Sequence, residues 1–278
     1  MTFQGTINNW DFPVELMPTP HAVTGEPLPN SNQVVRTDTN EVLGVHGGSY
    51  KMVSNHDVVQ PILDGIEAAN LSKDREVTIQ SYDGGRRLRG QVKFPDLVVE
   101  PSVGDIVSFR IRWASSHDGS WAYSIFAEGL RLWCDNGCVT ADKAATYTAK
   151  HTSGLNADAS ASKVLKGFEI FQNQKEIYQE YMAQNVYDDQ VISMFKKSLA
   201  KRVTPSKVLV NEFQLDNLIR IWREEKATLG SNKWALYNCL THWSTHTQDS
   251  KRPHVTRHNR EAQVQKLLGS SLWQELVL

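Results

Sequence analysis

Between Glu76 and Cys134 the chain alternates with period two. In Arg87–Phe94, Leu88, Val92 and Phe94 alternate with Arg87, Arg89, Gln91 and Lys93. In Asp105–Trp113, Val107, Phe109, Ile111 and Trp113 alternate with Ser108, Arg110 and Arg112. Successive strand side chains point to opposite faces, so each apolar set faces a core while the cations share the other face. Asp83-Gly84-Gly85 is a hairpin signal between the first two strands. Pro95 to Gly104 reads as a longer connection, and His117-Asp118-Gly119-Ser120 as a turn into a fourth strand, Trp121–Cys134. The apolar phase of that strand changes at Gly129, which predicts a bulge and brings Arg131 and Trp133 onto the cationic face. An antiparallel meander with an outward basic face is the expectation.

Around the meander the pattern differs. Residues 1–33 hold Pro13, Pro18, Pro20, Pro27 and Pro29 and read as an extended arm. Short strands are expected at Glu41–Val45 and Tyr50–Val53. Ser54 with Asp57 resembles a capping box opening a helix to about Asn70, with Val58, Val59, Ile62, Leu63 and Ile66 as its stripe. From Val139 the period becomes helical, with helices expected at Asp158–Val186, Val191–Leu199, Pro205–Ala227, Asn232–Thr245 and Glu261–Leu276. Strands first and helices afterwards predict an α+β fold. The expected organisation is a Pro-rich arm (1–33), an antiparallel sheet core with one helix (34–138) and a helical region packing on the sheet (139–278).

No apolar run reaches the ~18 residues of a membrane span, and the first residues lack the pattern of a secretory signal. A cytoplasmic location is the expectation, and three cysteines suit a reducing compartment. The net charge is −1, but the halves differ. Residues 1–138 carry 11 Lys and Arg against 17 Asp and Glu, a balance of −6; residues 139–278 carry 19 against 14, a balance of +5. The densest basic run is Lys196, Lys197, Lys201, Arg202 and Lys207, with no acid among them. Such asymmetry points to a polyanion or to self-association.

Four stretches resemble the phage/plasmid-like family known as domain of unknown function 932. They are Val35–Val45 followed by Tyr50; Ser115-Ser-His-Asp-Gly-Ser120; Arg131–Asn136 followed by Lys150-His-Thr152; and Trp234–His246. The chain departs from the family pattern at Lys150, where Arg is usual, and at Gly137-Cys138. The resemblance implies a phage or prophage origin, with the host cytoplasm as the setting if the protein is phage-encoded, and a place among DNA-metabolism genes. It supplies no activity. Phage single-strand annealing proteins also join a small antiparallel sheet to helices, an analogy of fold only.

The expected function is single-stranded DNA binding that assists annealing, recombination or replication without ATP, as a homo-oligomer and away from membranes. Arg87, Arg89, Lys93, Arg110, Arg112 and Arg131 are the candidate phosphate contacts, with Lys196, Lys197, Lys201 and Arg202 as a second patch. Tyr82 and Trp133 are the stacking candidates. No Walker A, GxGxxG or GxSxG sequence is present. His117, Asp118, Ser115, Ser116 and Ser120 are better explained by turn chemistry than by catalysis. Cys134, Cys138 and His151, and Cys239, His242 and His246, are weak candidates for zinc, because a structural site needs four well-spaced ligands. No cofactor, metal or catalytic residue is assigned. The alternatives are a structural or host-interaction protein without DNA binding, and a metal-dependent nucleic-acid-modifying enzyme using His117, Cys134 and His151. Lys251–Arg260 reads as a basic connector between helices.

Overall fold

The structure, a computed structural model, describes residues 9–131, 136–138, 146–156, 159–204, 207–246 and 250–276, with side chains left aside at 136–138, 159–165, 204 and 207. It is an α+β fold: antiparallel sheets dominate the N-terminal half and helices the C-terminal half. The chain divides into two compact units. One comprises Met1–Leu97, Phe109–Ala127 and Lys143–Ile170, the other Val98–Ser108, Glu128–Asp142 and Phe171–Leu278.

The Pro-rich segment is not a free arm. β1 (Val14–Pro20), β2 (Pro27–Arg36) and β3 (Glu41–Gly47) form a three-stranded antiparallel sheet in that order. The prolines are tolerated by position. Pro18 and Pro20 lie on the edge strand β1, and Pro27 and Pro29 precede the stretch, Ser31–Arg36, where β3 pairs with β2. Neither place requires a second ladder bond from the missing N–H. Phe12, Val34 and Leu43 form the small core under this sheet.

Helix α1 (Asn55–Ala69) starts where the cap predicts: Ser54 Oγ accepts from Asp57 N at 3.0 Å. It ends at Asn70 in the left-handed region (φ 46°). Its buried stripe includes Val58, Val59, Ile62 and Ile66, and Pro61 is accommodated inside the helix.

The meander is β4 (Glu76–Tyr82), a 3₁₀ turn at Asp83–Gly85, β5 (Arg87–Val99), β6 (Val107–Ser116) and β7 (Tyr123–Arg131), extended by β8 (Asn136–Cys138) and β9 (Thr146–Ala149). The order is β4-β5-β6-β7-β8, and β9 also pairs with β7. The bulge expected at Gly129 does not interrupt the pairing with β8: Gly129, Leu130 and Arg131 face Cys138, Gly137 and Asn136 in unbroken register. Every residue of β6 and β7 is buried, so both faces of these strands are covered. Phe168 of α2 (Ala159–Gln172) meets Phe109 edge-on at 5.3 Å.

The expected long helix at 158–186 is two: α2 and α3 (Gln174–Ala183), broken at Asn173. α4 (Asp188–Met194) runs into a π-helical turn at Phe195–Leu199. The segment expected to open a helix at Pro205 differs most. β10 (Lys201–Thr204) and β11 (Lys207–Val210) form a two-stranded ribbon, and α5 (Glu212–Leu229) begins only after it. α6 (Lys233–Thr245) is buried almost throughout. The basic connector 251–260 is mostly the start of α7 (Pro253–Leu268), with Pro253 in the first turn, and α8 (Ser271–Gln274) follows. In the second unit, the Lys233 amine sits 4.9 Å from the Trp273 ring centroid and 5.5 Å from that of Tyr181. Desolvation there lowers its pKa. Among the described residues no helix is long and apolar enough to cross a membrane.

Candidate functional site

The outward cationic track expected on the meander is absent, because its central strands are interior. Arg110 is 1% exposed, and Arg87, Arg112 and Arg131 are also buried. Buried charge is tolerated only when paired and hydrogen-bonded. Arg87 donates from Nε to Ser120 Oγ at 2.7 Å and bridges Asp83 and Asp118. Arg131 donates from Nε to Asp105 Oδ1 at 2.5 Å and reaches Glu225 at 3.5 Å. Arg110 donates to Gln91 Oε1, and the Arg112 guanidinium lies 4.2 Å from the Phe126 ring centroid. Arg89 and Lys93 are half-buried on β5. Tyr82 is half-buried, donates to Gln80 Oε1 and meets Trp121 edge-on. Trp133 and Cys134 lie outside the described residues.

A second constellation, in the first unit, gathers residues from distant parts of the chain. Tyr50 is stacked between His46 (ring centroids 3.7 Å apart) and His151 (5.4 Å) and donates its hydroxyl to Ser116 O. Asn55 donates through Nδ2 to Trp10 O, which leaves its Oδ1 to accept from His117 Nε2 at 3.1 Å. His46 Nε2 donates to His117 O at 2.7 Å. His151 Nδ1 donates to Lys51 O, so its Nε2 accepts from Ser115 Oγ at 3.4 Å. A Cβ at Gly44 would stand 2.3 Å from His117 O, so this close approach of β3 to the 117 turn requires glycine.

Ser115, neutral His151 and the Lys51 carbonyl have the order of a nucleophile, base and orienting group. Ser115 is 3% and His151 6% exposed, however, and all their bonds are internal, so the geometry is that of a closed polar core. His117 Nδ1 is buried without a partner. His46 and Tyr50 carry no local sign of this role; only tertiary folding brings them to His117 and His151.

Burial, with His46 and His151 nearby, lowers the His117 pKa to about 4, against the opposing pull of Asp118. His151 is lowered too, mainly by burial. The unfolded chain therefore binds more protons than the folded one between pH 6.5 and 4, and stability falls as pH drops through that window. The loss attributable to His117 is about 3 kcal/mol. Urea denaturation at pH 7, 5.5 and 4 is expected to show this slope in the parent protein and a shallower one in His117→Gln; parallel slopes would refute the assignment.

Among the described residues no group of three or more His, Cys, Asp and Glu is placed to hold a metal. Cys239 is fully buried, its thiol lies 3.6 Å from Leu218 O, and burial pushes its pKa up. His242 lies 3.5 Å from Glu225, and its ring stands 4.8 Å from that of His246.

The four cations of the second expected patch lie in the second unit. Lys196 and Lys197 on the π-turn, and Lys201 and Arg202 on β10, are exposed. Among the described residues none of the four has an ion-pair partner. From Phe195 to Asn211 the chain contains no acid. The ribbon pairs Lys201 with Val210, Arg202 with Leu209, Val203 with Val208 and Thr204 with Lys207. Asn211 N donates to Ala200 O at 2.5 Å, closing the base of the ribbon.

An antiparallel sheet with buried central strands, appended helices and a separate cationic ribbon define an α+β class. Over residues 42–272 the chain matches the family described as domain of unknown function (DUF932), and the protein belongs to that family. No curated protein and no solved structure matches it. Three of the four stretches carrying the resemblance supply the polar core: Val35–Val45 with Tyr50, Ser115–Ser120 and Lys150–Thr152.

Proposed function

We propose that the protein binds single-stranded nucleic acid, DNA in the first instance, and assists annealing, recombination or replication in a phage or prophage setting without ATP. One observation carries this reading. Four exposed cations, without carboxylate partners among the described residues, are concentrated on an acid-free ribbon and turn, where phosphates can replace bulk counterions. Arg87, Arg110, Arg112 and Arg131 lose their expected role because they are buried, Arg87 and Arg131 against carboxylates. Arg89 and Lys93 remain as half-exposed auxiliary contacts. A homo-oligomer is part of the proposal, and native mass measurement tests it.

The direct test is anisotropy of a labelled single-stranded oligonucleotide across a salt series. Four phosphate contacts predict a slope of log K against log salt of about −3. Lys196→Gln, Lys197→Gln, Lys201→Gln and Arg202→Gln combined are expected to remove most of that slope. No binding by the parent protein at micromolar concentration and low salt would sink the proposal.

A further inference from the structure

The ribbon carries more than charge. On an antiparallel pair, directly opposed residues share a face. Val203 and Val208 are opposed, and they are 67% and 60% exposed. Lys201 lies two residues from Val203 and shares that face. Apolar side chains this open on a two-stranded ribbon, beside unpaired cations, are suited to a ligand that is both anionic and partly apolar.

Phe213 adds an aromatic group. It is 64% exposed, and its position follows from helix geometry rather than from fraying. α5 buries Leu215, Leu218, Ile221, Trp222 and Glu225. At 100° per residue, Phe213 falls opposite Trp222, on the solvent side of that stripe. The turn that holds it is tied at both ends: Asn211 Oδ1 caps Gln214 N at 3.2 Å, and Asn211 N bonds Ala200 O. Phe213 is thereby fixed three residues beyond the end of β11. Among the described residues only Tyr187 and Phe213 are exposed aromatics, and only Phe213 adjoins the acid-free stretch. Exposed Glu212 disfavours a phosphate at the helix start, so the phosphates belong on the ribbon.

We infer that Phe213 is a base-stacking residue that makes the cationic ribbon selective for single strands. The inference rests on the nucleic-acid reading above and adds its specificity. A base in a duplex hides both faces in the stack, whereas an unpaired base can lie on an aromatic ring irrespective of its identity. Phosphate contacts carry no such distinction. The ribbon cations then hold either form, and Phe213 favours the single strand. Val203 and Val208 offer an apolar bed for a neighbouring base.

The test compares Phe213→Ala, Phe213→Trp and the fourfold Gln variant on a single-stranded oligonucleotide and its duplex at one salt concentration. Phe213→Ala is expected to weaken single-strand binding about 10-fold. Its salt slope and duplex affinity should be unchanged, and Phe213→Trp should restore binding. Quenching of 2-aminopurine in the strand should disappear with Phe213→Ala and persist with Phe213→Trp. If Phe213→Ala binds single strands like the parent while the fourfold variant does not, the stacking role fails and the nucleic-acid reading stands. Equal loss on strand and duplex would also overturn it, as would a shift of oligomeric mass with unchanged DNA affinity, which would make Phe213 a protein contact. A parent protein that binds neither form overturns both.

Discussion

Arg131→Ala is expected to destabilise the second unit by about 3–5 kcal/mol, the cost of leaving a buried charge uncompensated. Arg131 is 5% exposed and lies between Asp105, 6% exposed, and Glu225, 9% exposed. The two carboxylates are held from several directions: Trp234 Nε1 donates to Asp105 Oδ2 at 2.8 Å, and His242 approaches Glu225. Without the guanidinium, two carboxylates remain in a site that water does not reach. Arg131→Lys keeps the charge but not the planar fork and should cost less. Urea denaturation at pH 7 separates these outcomes. A loss below about 1 kcal/mol for Arg131→Ala would show the network to be energetically idle.

Gly90→Ala is expected to cost about 3 kcal/mol in the first unit, at the upper end for overpacking a core. Gly90 lies on β5 opposite Ile79, and Trp113 on β6 is 1% exposed. A Cβ at Gly90 would stand 2.3 Å from Trp113 Cζ2 and 2.4 Å from Cε2. These are ring atoms of a rigid, buried indole, so the ring as a whole must shift. Strand propensity slightly favours alanine over glycine, which makes the predicted sign informative. Trp113→Leu should itself be destabilising through the cavity it leaves, but the double variant should lose less than the sum of the two single changes. Additive losses in thermal or urea unfolding would mean that the indole does not occupy the space over Gly90.

The meander, α1 with its Ser54 cap and the helical C-terminal half are legible locally, since each follows from a short-range period or a cap. The ribbon is not. Its strands are only four residues each, too short to stand out, and Pro205 beside an apolar run mimics a helix start. The expectation of a helix from Pro205 therefore gives Phe213 no distinct place. With the helix beginning at Glu212, it falls on the outside. The polar core is equally hidden, because His46, His117 and His151 are separated by 71 and 34 positions and no local pattern links them.

Alternation in Arg87–Phe94 and Asp105–Trp113 is enough to decide which side chains share a face, because the strand period is a property of the backbone. Whether that face meets water is another matter. A strand covered on one side and a strand covered on both can carry the same alternating sequence when the second layer meets the cations with acids, amides and rings. Asp83, Asp118, Asp105, Glu225 and Phe126 do this for the meander arginines, and they come from turns, strands and a helix far apart in the chain. Only tertiary structure therefore separates the buried cations of the sheet from the exposed ones of the ribbon.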